Sequence, residues 1–166
     1  MIPFIDLKKQ YSRIEKNVDQ AVKNVMMNGQ YILGPEVAEL EKKLADFAGT
    51  KYCLGCASGT DALLMALMAM DVKPGDAVFT TPFTFFATVE MIALLGATPV
   101  FADIDPKTYN IDPVKLREAI LKVKAEGKLN LKAIVTVDIF GQPADYDAIQ
   151  AIADEFGMPI IEDGAQ

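Results

Sequence analysis

Apolar residues fall three and four apart in two stretches of the first fifty positions. Val18, Val22, Val25 and Met26 form one such stripe and predict a helix over about residues 8–27. Asp6 or Ser12 can cap it, "SRIE" at 12–15 fits a capping box, and Gly29 stops it. After "QYILG" a second helix carries Pro35 in its first turn and Val37, Leu40, Leu44 and Phe47 on one face, and it ends at Gly49.

From residue 51 the pattern alternates between short apolar runs and helical stripes. "KYCLGCA" reads as a strand and "TDALLMALMAM" as a helix. "PGD" at 74–76 is a turn before the strand "AVFT". "FATVEMIALLG" is helical, "TPVFADI" a strand, and Asp112 caps a helix that starts at Pro113. "EGKLNLK" at 126–132 reads as a charged surface loop, "AIVTVDI" as a strand, "YDAIQAIADEFG" as a helix and "MPIIED" as a last strand. This alternation predicts an α/β fold in three layers, a mostly parallel sheet with helices on both faces. Residues 1–50 form a helical segment and 51–166 the sheet domain. Ligands of such sheets bind beyond the carboxyl ends of the strands. That singles out "SGT" at 58–60, "TPFTF" at 81–85, "DID" at 103–105, "DIFGQ" at 138–142 and "EDGAQ" at 162–166.

Composition narrows the classes. Hydrophobic residues make up 51% of the 166, enough for a large core. Sixteen basic residues against twenty-three acidic give a net charge of −7, which argues against a nucleic-acid or membrane surface. A small anion held by backbone amides remains open. No apolar run approaches the ~18 residues of a membrane span. "MIPFIDLKKQ" lacks the pattern of a signal peptide, so a cytoplasmic location is expected. Cys53 and Cys56 lack companion ligands for zinc, and three apart on a strand they face opposite ways, so they read as buried small hydrophobes. There is no histidine, which removes Ser-His and Cys-His chemistry unless a base comes from elsewhere.

Several loops carry candidate chemistry. Ser58, Gly59 and Thr60 stand at a helix start, where free amides and the helix dipole favour phosphate; an ordinary serine cap is the alternative. Of Phe83, Phe85 and Phe86, one should face the crevice and stack on a planar ring, and two should pack in the core. Asp163 ends a strand and Glu162 points to the other face. A carboxylate there can hold a proton on a pyridine nitrogen, or act as a cap or turn residue. Asp103 and Asp105 can hold a metal against a nucleotide-sugar diphosphate, or simply build a turn.

Taken together, "FIDLKKQY", "GQYILGPEVAELE", "CASGTDAL", "PGDAVFTTPFTFFAT", "FADIDPKTYNID", "FGQPADYDAI" and "IIEDGAQ" resemble the DegT/DnrJ/EryC1/StrS family of pyridoxal-phosphate-dependent nucleotide-sugar aminotransferases, over nearly the whole chain. The resemblance implies the N-terminal part of a fold type I large domain. It implies that Ser58, Gly59 and Thr60 bind the cofactor phosphate, that Phe85 lies over the pyridine ring, that Asp163 pairs with the ring nitrogen and that Gln166 reaches the ring hydroxyl. Gly29, Gln30 and Tyr31 match a segment lining the sugar site. The look is nearest to enzymes aminating a UDP-linked 3-oxo sugar such as UDP-2-acetamido-2-deoxy-3-oxo-glucuronate, with glutamate as donor, in polysaccharide or antibiotic sugar biosynthesis. A homodimer is implied, and no metal.

One departure accompanies the likeness. The family's Schiff-base lysine lies after the "EDGAQ" motif, and Lys107, Lys128 and Lys132 sit in solvent-like surroundings. The expectation is therefore an incomplete large domain, without its C-terminal remainder and small domain, inactive by itself and belonging to a longer enzyme. A metal-dependent glycosyltransferase using Asp103 and Asp105, and a non-catalytic phosphate-binding remnant, are the alternatives.

Overall fold

The computed structural model describes residues 3–166, so the leader expectation lies partly outside the described residues. The chain forms two compact units, one ending at Gly55 and one spanning Cys56–Gln166. The first carries α1 (Leu7–Asn28) and α2 (Pro35–Ala48). Asp6, not Ser12, caps α1: its carboxylate accepts from the Lys9 N–H at 3.0 Å, while the Ser12 hydroxyl donates back to the Lys9 carbonyl from inside the helix. The capping-box reading is thus corrected, because a residue already in the first turns can only bond backwards. Gly29 and Gly49 close the two helices in the left-handed conformation.

The second unit holds α3 (Gly59–Ala69), β1 (Asp76–Thr80), α4 (Phe86–Leu94), β2 (Thr98–Phe101), α5 (Pro113–Glu126), β3 (Asn130–Val137), α6 (Tyr146–Phe156) and β4 (Ile160–Asp163). The strands are all parallel, in the order β2-β1-β3-β4. Side-chain alternation divides the core in two. Ala77, Phe79 and Ile134 pack with Leu116, Ile120 and Ile149 of α5 and α6. Val78, Ala133, Val135 and Ile161 pack with Leu67, Met91 and Ile92 of α3 and α4. That is the expected three-layer arrangement. β1 and β3 are neighbours whose outgoing connections diverge, α4 leading to β2 and α6 to β4, which makes their carboxyl ends a topological switch point.

Two predicted elements differ. "KYCLGCA" is not a strand. A strand needs a partner ladder, and here the backbone takes a side-chain partner instead: the Gly55 N–H donates to the Glu41 carboxylate at 2.7 Å. Its cysteines are consequently not buried; Cys53 is half-buried and Cys56 exposed, both free. "EGKLNLK" is a loop only to Leu129. Leu129 and Leu131 pack on the core with Asn130 between them and Lys128 and Lys132 outside, and the Asn130 side chain donates to Asp76 at 3.2 Å, so β3 starts three residues earlier than its apolar run suggests.

Candidate functional site

The alternation along β4 decides what faces what. Ile160 belongs with the α5/α6 layer and Ile161 with the α3/α4 layer. Two residues on, Asp163 takes the Ile161 side. Its backbone carbonyl accepts the Asp138 N–H at 3.2 Å, closing the β3–β4 ladder. Its Oδ2 accepts the hydroxyl of Thr88, a fully buried residue of α4, at 2.8 Å. Its Oδ1 takes only a long 3.4 Å contact from the Ala165 N–H.

Asp163, Ala165 and Gln166 line a recess of about 220 Å³ with Gly59, Thr60, Leu63, Phe85 and Ala87. This is small for a large ligand and enough for one substituted ring. Five of the predicted cofactor residues therefore meet in one place: Gly59, Thr60, Phe85, Asp163 and Gln166. Ser58 does not line it. Its hydroxyl accepts the Asp61 N–H at 3.1 Å and donates to the Asp61 carboxylate at 2.8 Å, so it serves as the cap of α3. Gly29, Gln30 and Tyr31 belong to the other unit, where with Ile32 and Leu33 they border a surface recess of about 480 Å³.

The recess suits a phosphorylated pyridine. The N-terminus of α3 presents the Gly59 and Thr60 amides, which lie among the first turn's unbonded donors. A Cβ at Gly59 would touch nothing within 4 Å, so the chain's own packing does not demand glycine there. A closely approaching ligand would. Phe85, 72% exposed, precedes α4 with its ring open to a flat partner.

The other aromatic expectations need correction. The buried positions of α4 are Ala87, Thr88, Met91 and Ile92, and Phe86 falls outside that stripe and stays exposed. Phe83 joins Tyr109 and Phe140 in a surface trio with ring centroids 5.6–6.0 Å apart. Neither is a core residue.

On the α5/α6 side, Asp138 Oδ1 accepts from the Ala144 N–H at 2.9 Å and the Tyr146 hydroxyl at 3.1 Å. Burial pushes the Tyr146 phenol up to about 12, with the neighbouring Asp138 and Glu162 charges adding to it. The Glu162 carboxyl is raised too, by partial burial first and then by Asp138. Buried Asn110 donates to the carbonyls of Gln142 and Pro143 at 3.0 and 3.1 Å. The loop so held contains Gly141, where an added Cβ would come within 3.3 Å of the Gln166 carbonyl and whose φ is +76°. Thr88, Asp138 and Asn110 were not among the predicted site residues.

Asp103 and Asp105 build a turn. Asp103 accepts the Ile104 N–H at 2.9 Å and the Lys115 ammonium at 3.3 Å, which together hold its carboxyl below the usual range. Asp105 accepts the Lys107 N–H at 2.7 Å. Among the described residues no group of three His, Cys, Asp or Glu side chains is placed to hold a metal ion.

A parallel α/β sheet with a helix N-terminus, an open aromatic ring and a strand-end carboxylate round one recess defines an architecture of cofactor-binding enzymes. Residues 12–166 match the DegT/DnrJ/EryC1/StrS aminotransferase family, and the chain belongs to that family. It is 55% identical over all 166 residues to the UDP-2-acetamido-2-deoxy-3-oxo-D-glucuronate aminotransferase of Pseudomonas aeruginosa, covering 44% of that protein. It is 42% identical to the dTDP-3-amino-3,6-dideoxy-alpha-D-galactopyranose transaminase of Aneurinibacillus thermoaerophilus, again over its whole length and 44% of the relative. A crystal structure of a family aminotransferase from Brucella abortus superposes with a TM-score of 0.95 at 50% identity, over 98% of this chain and 43% of that one. NtdA from Bacillus subtilis, with bound cofactor PMP, superposes at 0.90 with 30% identity, over 99% of this chain and 37% of that one. The chain thus spans less than half the length of these relatives. The fold is that of fold type I aminotransferases over the shared region, and the glycosyltransferase alternative finds no support among the relatives.

Along the described residues no helix is long and apolar enough to cross a membrane.

Proposed function

We propose that this chain supplies the cofactor recess of a pyridoxal-phosphate-dependent aminotransferase that moves an amino group from glutamate to a UDP-linked keto-sugar. The carrying observation is the opposed chemistry of the recess: free helix amides at Gly59 and Thr60, and the carboxylate of Asp163. Support for the UDP 3-oxo sugar comes from the 55% identity with the Pseudomonas enzyme.

Pyridoxal phosphate, when bound, supplies an electron sink for the carbanion formed at the amino carbon. Each residue then has a task. Gly59 and Thr60 bind the phosphate with N–H groups aided by the helix dipole. Ser58 contributes by fixing the helix start. Phe85 covers one ring face. Asp163 holds a proton on the ring nitrogen through Oδ1, the oxygen its neighbours leave nearly free. Gln166 orients the ring hydroxyl, and Gly29, Gln30 and Tyr31 contact the sugar.

No lysine lines the recess among the described residues. We assign the amine-bearing lysine to the part of the family's length outside these 166 residues, along with the rest of the large domain, whose first part is residues 51–166. A homodimer in the cytoplasm completes the proposal.

The test uses the full-length product of the encoding gene. It is loaded with pyridoxal phosphate and supplied with glutamate and UDP-2-acetamido-2-deoxy-3-oxo-glucuronate. The expected result is a new amino sugar by mass spectrometry and one cofactor per chain. A protein that takes up no pyridoxal phosphate would overturn the reading; uptake with turnover only of a dTDP-linked sugar would overturn the UDP assignment.

A further inference from the structure

We infer that Thr84 and Thr88 form a directional hydroxyl relay that positions Asp163, and that Thr88 is a specific positioning residue for the cofactor's ring nitrogen. The inference rests on the aminotransferase reading above.

Three observations build it. Thr88 is 1% exposed and its hydroxyl lies 2.8 Å from Asp163 Oδ2, across 75 residues of sequence. The Thr84 hydroxyl lies 2.8 Å from the Thr88 hydroxyl, four residues earlier and just ahead of α4. A threonine hydroxyl has a single hydrogen. An ionised carboxylate only accepts, so the Thr88 hydrogen is committed to Asp163. Thr84 must then be the donor to Thr88, although their geometry alone permits either direction. The chain runs Thr84 to Thr88 to Asp163, each link polarising the next.

The direction has consequences for both carboxylate oxygens. Oδ2 is held by a part-buried charge-assisted bond, the stronger kind of hydrogen bond. The Asp138 N–H fixes the backbone of the same residue at 3.2 Å. With Oδ2 and the backbone fixed, rotation about the carboxylate axis is restrained, and Oδ1 is the oxygen left for a ligand in the recess.

A threonine buried merely for packing would be replaceable by valine, which has the same shape. That contrast sets the experiment. In the full-length gene product, wild type, Thr88→Val, Thr88→Ser and Thr84→Ala are compared by thermal melting, pyridoxal phosphate titration, the pH profile of the bound cofactor's visible absorption, and steady-state kinetics. Thr88→Val is expected to weaken cofactor affinity about tenfold or more, the loss of a hydrogen bond to a charged group. It should also move the absorption profile and lower kcat with KM for glutamate little changed. Thr88→Ser restores the hydroxyl and should return affinity to within about twofold, even where its lost methyl lowers the melting temperature. Thr84→Ala should fall between them.

A wild type that binds the cofactor, with Thr88→Val unchanged in affinity and profile, overturns the relay alone. Equal damage from Thr88→Val and Thr88→Ser also overturns it, since packing would then explain both. A wild type that binds no pyridoxal phosphate overturns the aminotransferase reading, and the relay's role toward a ring nitrogen falls with it.

Discussion

Glu162 and Asp163 are consecutive, yet they belong to opposite faces of β4: Asp163 meets Thr88 and the recess, while Glu162 feels Asp138 and Tyr146. The two carboxylates are separated by the pleat of the strand itself. One can serve a ligand while the other lies beside the Asp138–Tyr146 pair at the β3–α6 loop.

Asp163→Asn in the full-length gene product should leave the fold intact and remove nearly all transamination. Asparagine keeps the shape but cannot supply the charge that holds a ring nitrogen protonated. Matched melting curves and cofactor occupancy, with activity within a few-fold of wild type, would contradict the assignment.

Phe85→Ala should weaken cofactor binding by ~1 kcal/mol or somewhat more, the size of a stacking contact beyond simple burial. Phe86→Ala should change stability little, its ring being exposed. Phe83→Ala should loosen Tyr109 and Phe140 without releasing cofactor. Cofactor titration with urea unfolding on the three variants separates these outcomes; release from Phe83→Ala alone would show that the wrong ring had been assigned.

Gly59→Ala should act in opposite directions on fold and ligand. No atom of the chain obstructs the new methyl, and alanine is the better helix former, so unfolding free energy should rise by a few tenths to about 1 kcal/mol. Phosphate-dependent affinity should drop. A variant that gains stability and also keeps full affinity would show that nothing approaches this backbone closely.

The raised Glu162 carboxyl gives a pH signature. A folded-state pKa above the unfolded one means the neutral acid suits the fold, so its contribution is complete below the ordinary carboxylate range and is lost as pH rises through the folded value. Glu162→Gln, always neutral, should therefore match wild type in acid and be the more stable protein at neutral pH. Denaturant midpoints at pH 4 and pH 7 test this, and a gain present equally at both would mean that charge is not the cause.

Asn110→Ala should cost about 1–3 kcal/mol, because the Gln142 and Pro143 carbonyls lose their buried donor. Hydrogen exchange should quicken first in residues 138–145. An unchanged exchange pattern there would show that the loop is held by Asp138 alone.

Much of this was legible from pattern. Helical stripes and caps located α1, α2, α3, α4, α5 and α6, since Asp112 and Pro113 act within a few residues of each other. Three of the five loops, 58–60, 81–85 and 162–166, supply recess residues, and the side of Asp163 was readable because the period of 2 along "IIED" is local. What escaped depends on partners distant in sequence. "KYCLGCA" has strand composition, but a strand exists only where a ladder partner stands. Phe83, Phe85 and Phe86 are chemically alike, and only the Tyr109–Phe140 cluster, the recess and the stripe of α4 tell them apart. Thr88 was overlooked because its partner is 75 residues away. The available hint was a lone hydroxyl among apolar neighbours in "FATVEMIAL", four residues after Thr84.

The two margins of the sheet are chemically unequal. β2 carries Pro99, which offers no N–H and blunts its outer side against pairing, and only four residues form it. β4, "IIED", has no proline and among the described residues pairs with β3 alone, so one side of its backbone presents an intact row of donors and acceptors. Any strand joining this sheet, from the same polypeptide or another, is directed to the β4 margin. Such an addition would turn Asp163 from a rim residue into one flanked on both sides, shielding its carboxylate from water and strengthening every bond it makes.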